Sequence, residues 1–257
     1  MTTYRAPLSR RRLPALFTAL SIALVTSLGL AGLSPAAMAA DAAVPTASGA
    51  AATSDTSEST SPEPSQAERL LFMQAHLVKV KPPLDLVYDV DHQDASDPAQ
   101  SYTDAVKIHL TSDAAGACCS VVGEFLSGPR AMRLPDIGSA SANPLLLYFL
   151  EFEVRRLQAA SKGQAAHFRR HIRLALVDAA VVKDIEIERA GRRIKAQEIT
   201  VRPFVTDPYR VRFEQEATRQ YRFVLADDLP GQFAEIEVTQ PGAGAKPRRI
   251  STRITLR

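Results

Sequence analysis

His167 and His171 stand four residues apart in a stretch of helical periodicity, so both imidazoles fall on one helix face at the spacing of a two-histidine metal site. Arg169, Arg170 and Arg173 are interleaved with them, and no acid or other third ligand lies nearby in sequence. Positive charge opposes a cation, so the segment reads as a solvated basic helix face and no metal is assigned. Asp89, Asp91, His92, Asp94 and Asp97 have the oxygen density of a calcium loop. The EF-hand pattern fails there, because position 93 is Gln and position 94 is not Gly, and the stretch reads as a hydrated hairpin loop. There is no Gly-x-Ser-x-Gly elbow, no Gly-rich phosphate loop and no His-Glu-x-x-His. Glu151 and Glu153 are two apart and point to different helix faces, a poor start for a paired-carboxylate site. The sequence therefore assigns no catalytic residue and no cofactor.

The basic residues make a stronger pattern. Arg155, Arg156, Lys162, Arg169, Arg170 and Arg173 occur within 19 residues, with no acid after Glu153. Such a cluster can meet lipid head-group phosphates or an acidic polymer, or pair with the acids at 184–188. Leu145 to Leu150, just upstream, is apolar on all sides. Leu147, Phe149 and Leu150 with Arg155, Arg156, Arg169, Arg170 and Arg173 are thus the candidate ligand-binding residues, for a lipid or anionic amphiphile. On the last strand Arg249, Arg253 and Arg257 share one parity and Ile250, Ile254 and Leu256 the other, which predicts a cationic polar face. Aromatics are not interleaved with these charges, so nucleic acid is not an expected partner.

The start of the chain sets the compartment. Arg5, Arg10, Arg11 and Arg12 precede an apolar run from Ala15 to Leu33, Pro35 ends it, and Ala37-Met38-Ala39 offers small residues to a signal peptidase. These are the parts of a secretory signal peptide over 1–39, cleaved near Ala39. The export predicted is periplasmic or to the outside. Ser9 to Leu13 is loosely similar to a twin-arginine signal, but Pro14 and the apolar run favour ordinary secretion. Thr18, Ser21, Thr26, Ser27, Gly29 and Gly32 weaken the run as a permanent membrane span, so the mature form is not expected to cross a bilayer.

The whole chain has 31 Lys+Arg and 28 Asp+Glu. Residues 1–39 hold four arginines and no acid, which leaves the mature chain with 27 basic and 28 acidic residues and no bias toward nucleic acid. Residues 40–65 are Ala, Ser, Thr, Pro and acids with no large apolar side chain beyond Val44, a composition that cannot offset its ordering entropy and reads as a disordered spacer. Residues 66–257 are long enough for one domain with one core. The two cysteines, Cys118 and Cys119, are adjacent; an oxidising compartment permits a strained ring between them or an intermolecular bridge, and the favoured reading is two thiols on a strand, one facing the core.

The elements that must position these residues follow from periodicity. Residues 66–76 read as a short helix, and alternation then marks strands at 84–90, 106–110 and 117–126. Asn143-Pro144 opens a helix, and Ser161-Lys162-Gly163-Gln164 fits a capping box for a second, with Ala165, Phe168, Ile172, Ala175 and Leu176 as its apolar stripe. Strands return at 181–188 and 193–204, joined by Ala190-Gly191, with a bulge where apolar parity slips between Ile194 and Ile199. Asp207-Pro208 opens a short helix to Thr218, and strands follow at about 219–226, 232–239 and 249–256. Gly242 and Gly244 sit in the loop before the last of these. The fold class is α+β: a curved antiparallel sheet of about eight strands packed on an inserted helical hairpin.

That architecture resembles the half-barrels of periplasmic lipoprotein carriers, at the level of fold alone. Residues 143–156 (NPLLLYFLEFEVRR), 167–176 (HFRRHIRLAL) and 228–233 (DLPGQF) also resemble an uncharacterised family of exported proteins from Gram-negative bacteria. The resemblance implies export and supplies no activity or site residue. Three readings follow. The first is a non-enzymatic periplasmic protein that binds or carries an amphiphilic or acyl ligand in an apolar cavity with basic residues at its mouth. The second is a structural or interaction module of the cell envelope with a protein partner, the spacer giving it a reach of about 25–30 Å. The third, weakest, is a hydrolase assembled only in the fold around one of His76, His92, His109, His167 or His171.

Overall fold

The structure is a computed structural model that describes residues 63–241 and 250–257, all within one compact unit, Ser59–Arg257. The expected signal peptide and cleavage site, the expected spacer as far as residue 62, the predicted loop with Gly242 and Gly244, and Arg249 lie outside the described residues.

Ser65 caps a short helix α1 (Gln66–Glu68), its hydroxyl accepting from Glu68 N, and a π-helical turn continues it over Arg69–Met73. The strands are β1 (Leu84–Asp94), β2 (Tyr102–Ser112) and β3 (Cys118–Phe125), then β4 (Val181–Arg189), β5 (Arg192–Val201), β6 (Gln220–Leu225), β7 (Phe233–Gln240) and β8 (Ile250–Leu256). Between β3 and β4 lie α2 (Leu145–Ser161) and α3 (Ala165–Asp178), and a short α4 (Glu214–Ala217) precedes β6. All eight strands join one open sheet in the order β3-β2-β1-β8-β7-β6-β5-β4, every pair antiparallel. The predicted α+β class with its inserted helical hairpin is the observed one. Because β1 pairs with β8, the first and last strands lie in the middle, and the hairpin carries the chain from one sheet edge (β3) to the other (β4).

One face of the sheet carries the main core. Tyr88, Val106, Ile108, Val121, Ile199, Tyr221, Phe223, Phe233 and Ile236 are all fully buried there with α2 residues Leu145, Tyr148, Phe149 and Leu157. Phe149 sits edge-on to Tyr221 and Phe223, at 5.8 and 5.9 Å between ring centroids. Gly123 is required by close approach, because a Cβ there would overlap the Tyr148 ring. Sheet and α2 thus pack directly against each other through these side chains.

Two of the family-like segments meet in this core. The Asn143 side chain caps α2 by accepting from Leu145 N (3.0 Å) and donates to Tyr88 Oη (2.9 Å) and to the Gly231 carbonyl (2.8 Å). Its backbone N–H donates to His76 Nδ1 at 3.2 Å, and His76 Nε2 faces the Leu70 carbonyl at 2.7 Å. Gly231 has φ +71°, and a Cβ on it would lie 2.7 Å from both Asn143 Nδ2 and Leu86 Cδ1.

Five local expectations are corrected. Ser161 ends α2 and does not cap α3: its hydroxyl donates to the Leu157 carbonyl and accepts from Gly163 N, while Lys162 takes the left-handed conformation that closes the helix. β5 carries no bulge against β4. Ile199 faces the main core and Ile194 the opposite side of the sheet, where Ala196, Val224, Ala226 and Ala234 form a second small cluster, so the parity slip records a strand apolar on both faces. The acidic loop is mostly strand: β1 runs on to Asp94, whose buried carboxylate accepts from Ser96 N, Ser96 Oγ and Asp97 N and shapes the turn. Cys118 and Cys119 are joined in a disulfide rather than left as thiols. The last strand's described arginines do not leave its polar face cationic, since Arg253 pairs with Glu235 and Glu237 and Arg257 with Asp89.

Candidate functional site

The outer side of the helical layer holds an apolar groove of about 370 Å³ between α2 and α3, closed at one end by the π-helical turn. Phe72, Leu147, Leu150, Val154, Ile172 and Val177 line it, and Glu68, Glu151, Arg169 and Arg173 stand at its rim. Helical geometry places them. Leu147, Leu150, Glu151 and Val154 recur at three- and four-residue steps on α2, as do Arg169, Ile172 and Arg173 on α3. Val154 and Ile172 are buried and form the floor, whereas Leu147 is 57% exposed and Phe72 41% exposed. An apolar helix that is buried on its sheet face thus keeps a second apolar stripe open to solvent.

The rim is electrostatically organised around one carboxylate. Glu151 accepts from Arg155 Nε at 3.0 Å and from Arg169 Nη2 at 2.9 and 3.1 Å. Partial burial would raise the Glu151 carboxyl, and the hydrogen bonds from Arg169 and Arg155 outweigh it and hold it below the ordinary carboxylate range. Arg170 and Arg173 make no ion pair among the described residues. At the rim Arg169 and Arg173 balance Glu68 and Glu151 in number, and Arg173 is left without an ion pair.

The chain matches no known protein family, no curated protein and no solved structure. The function of this groove has therefore to be argued from its own chemistry.

Of the eight residues expected to bind ligand, the structure brings Leu147, Leu150, Arg169 and Arg173 together at the groove, with Arg155 beside them through Glu151. Arg170 is exposed on α3, outside the groove lining. Phe149 and Arg156 lie elsewhere. Phe149 is core. Arg156 points toward the interior, 3.6 Å from Glu153 and 3.9 Å from Glu216. It joins a buried network in which Arg219 Nη1 contacts Glu153 Oε2 at 2.6 Å and the Tyr221 hydroxyl donates to the same oxygen at 3.2 Å. Burial, and after it the Glu153 charge, push the Tyr221 hydroxyl well above its ordinary pKa. Arg155, Arg156 and Arg169 of the basic run thus pair with Glu151, Glu153 and Glu216 rather than with the acids at 184–188.

Sequence reasoning missed Phe72, which enters the groove from a segment with no helical continuity to α2 or α3, and it missed Asp207. Among the described residues, one group has metal-ligand geometry: His167, His171 and Asp207, whose donor atoms lie within 4.8 Å of one another. Burial lowers the His171 pKa, partly offset by Asp207, with His167 and Arg170 adding to the lowering. For a hydrolytic site, the side-chain hydroxyl bonded to a histidine among the described residues is Thr252, with Oγ1 2.8 Å from His92 Nδ1 and both residues buried.

Proposed function

We propose that the protein is an exported, non-enzymatic binding protein that holds the acyl chain of an anionic amphiphile in the groove between α2 and α3, with Arg169 and Arg173 at the head group. The observation that carries this reading is the apolar groove of Phe72, Leu147, Leu150, Val154 and Ile172, exposed at Leu147 and Phe72, with Arg173 unpaired among the described residues at its rim. An exposed apolar stripe costs solvation free energy in the free protein, and a ligand chain laid into it recovers about 25 cal/mol for each Å² covered. A groove of about 370 Å³ is on the scale of small-ligand sites. Export rests on the signal peptide read from residues 1–39, and among the described residues no helix is long and apolar enough to cross a membrane.

Calorimetric titration with dodecyl phosphate below its micellar concentration tests the reading. Saturable binding of one molecule per chain is expected. Leu147→Asp, at a side chain too exposed to be needed for folding, should weaken it by about tenfold or more. Arg173→Glu should weaken it as well, and dodecyl maltoside, with the same chain and a neutral head, should bind less tightly. An absence of saturable binding, or wild-type affinity in both variants, would overturn the proposal.

A further inference from the structure

From His167, His171 and Asp207 we infer a second site, distinct from the groove, that binds a divalent transition-metal ion of the zinc class with a coordination position left open to solvent.

α3 sets the two histidines one turn apart with their ring centroids 4.3 Å from each other. The third donor comes from the segment after β5. Phe204 of that segment packs edge-on against Phe168 of α3 and Phe213, at 5.9 and 5.6 Å, and Phe168 meets Phe213 at 5.6 Å. This aromatic triangle fixes the segment against the helix. Asp207 Oδ1 is occupied locally, accepting from Tyr209 N at 2.8 Å. Oδ2 is turned to the histidines, 2.7 Å from His167 Nε2 and 3.7 Å from His171 Nδ1.

Three features go beyond a structural histidine–aspartate hydrogen bond. The Asp207 side chain is fully buried, yet no Lys or Arg pairs with it among the described residues. A buried carboxylate needs compensation, which a bound cation would supply. His171 is the second feature: its Nδ1 approaches the carboxylate too distantly for a hydrogen bond, and it makes no other hydrogen bond among the described residues, so it converges on the site without a structural task there. The third is access. His171 lines one surface cleft with Leu174 and Thr206, and His167 lines another with Tyr209 and Arg212, so an ion between the rings is reached from solvent.

Arg170, beside His171 and without an ion pair among the described residues, opposes a cation, but the other nearby arginines are engaged elsewhere. Arg169 is engaged with Glu151, Arg210 donates to the Val205 carbonyl at 2.9 Å, and Arg212 lies over the Tyr209 ring at 5.3 Å. Two imidazoles and one carboxylate suit Zn²⁺, Cu²⁺ or Ni²⁺ rather than Ca²⁺ or Mg²⁺, which take all-oxygen shells. Three protein ligands leave at least one position for water or an exogenous anion. Binding requires an unprotonated nitrogen from each ring, so His167 would meet the ion through Nε2 with its ring proton carried on Nδ1.

The test is calorimetric titration of Zn²⁺ into untagged, chelator-stripped protein, with Co²⁺ as a spectroscopic substitute. Binding of one ion per chain is expected, together with a visible Co²⁺ band of low coordination number. His171→Ala should weaken Zn²⁺ binding at least about tenfold while leaving the melting temperature of the metal-free protein unchanged, because its ring holds nothing in the fold. Asp207→Asn should do the same to binding. Failure of the wild type to take up Zn²⁺, Cu²⁺ or Ni²⁺ would overturn the inference. So would uptake that His171→Ala leaves intact, since the ion would then lie elsewhere; this variant decides the matter even if Asp207→Asn fails to fold.

Discussion

Arg219 and Glu153 are each about 1% exposed and are paired in a desolvated interior, where Arg219 also contacts Glu216. Arg219→Ala leaves the Glu153 carboxylate buried with only Arg156 and Tyr221 near it, and is expected to cost about 3–5 kcal/mol, read as a lowered urea midpoint. His76 and His92 give stability a pH dependence. Burial lowers both pKa values from the ordinary 6.5; the Leu70 carbonyl and Asp227 partly oppose this at His76, while at His92 Arg156 lowers further and Asp94, Glu153 and Asp91 raise. The unfolded chain takes up these protons near 6.5 and the folded chain only at lower pH. Their full contribution is therefore present above about pH 6.5, and it is lost as pH falls from there toward the folded values. Urea midpoints at pH 7.5, 6.5 and 5.5 should decline in that order, and His76→Gln should flatten part of the decline. A midpoint constant over this range would contradict the buried neutral rings. Neither residue was marked for burial by sequence: a lone histidine on a strand or in a loop carries no signal of what covers it.

The helical hairpin carries both proposed sites, and its seating depends on two exact fits to the sheet. Gly123→Ala drives a methyl into Tyr148 and should destabilise by about 1–3 kcal/mol. Asn143→Ala removes the α2 cap and unpairs Tyr88 Oη and the Gly231 carbonyl, for an expected loss of about 2–4 kcal/mol by chemical denaturation. At this scale the sequence was largely readable. Strict alternation in Leu84–Val90 and Ile185–Glu188 and the Asn-Pro entry to α2 each report a local rule that the tertiary structure obeys. Where the reading failed, two local rules competed. Ser161 satisfies a capping-box pattern for α3, yet its hydroxyl is taken by the Leu157 carbonyl at the end of α2. Ile194 and Ile199 look like a register slip, but each has its own apolar cluster on opposite faces of β5. The part of the groove lining that was legible, Leu147, Leu150, Arg169 and Arg173, lies on two adjacent helices. Phe72 and Asp207 were invisible because they arrive from about 75 residues before Leu147 and 40 residues after His167.

For the molecule as a whole, the sheet supplies rigidity and the helical layer supplies chemistry. The sheet's polar face is neutralised in rows, with Arg222 held by Glu198 and Glu235 and Arg253 by Glu237. The helical layer instead keeps an apolar groove, arginines without partners among the described residues and a buried carboxylate facing two histidines. Function is expected where such local costs are left uncompensated in the free protein. A ligand that binds only the folded chain also raises its apparent stability, by about 2.7 kcal/mol at a concentration one hundred times its Kd. Dodecyl phosphate should accordingly raise the melting temperature of the wild type and not of Leu147→Asp. The most direct test of the central claim is native mass spectrometry of the protein isolated without detergent from the cells that make it, wild type beside Leu147→Asp. The groove predicts one acyl-bearing anion per wild-type chain, released by organic extraction, and little or none on the variant. A ligand-free mass for both, or the same adduct on both, would contradict it.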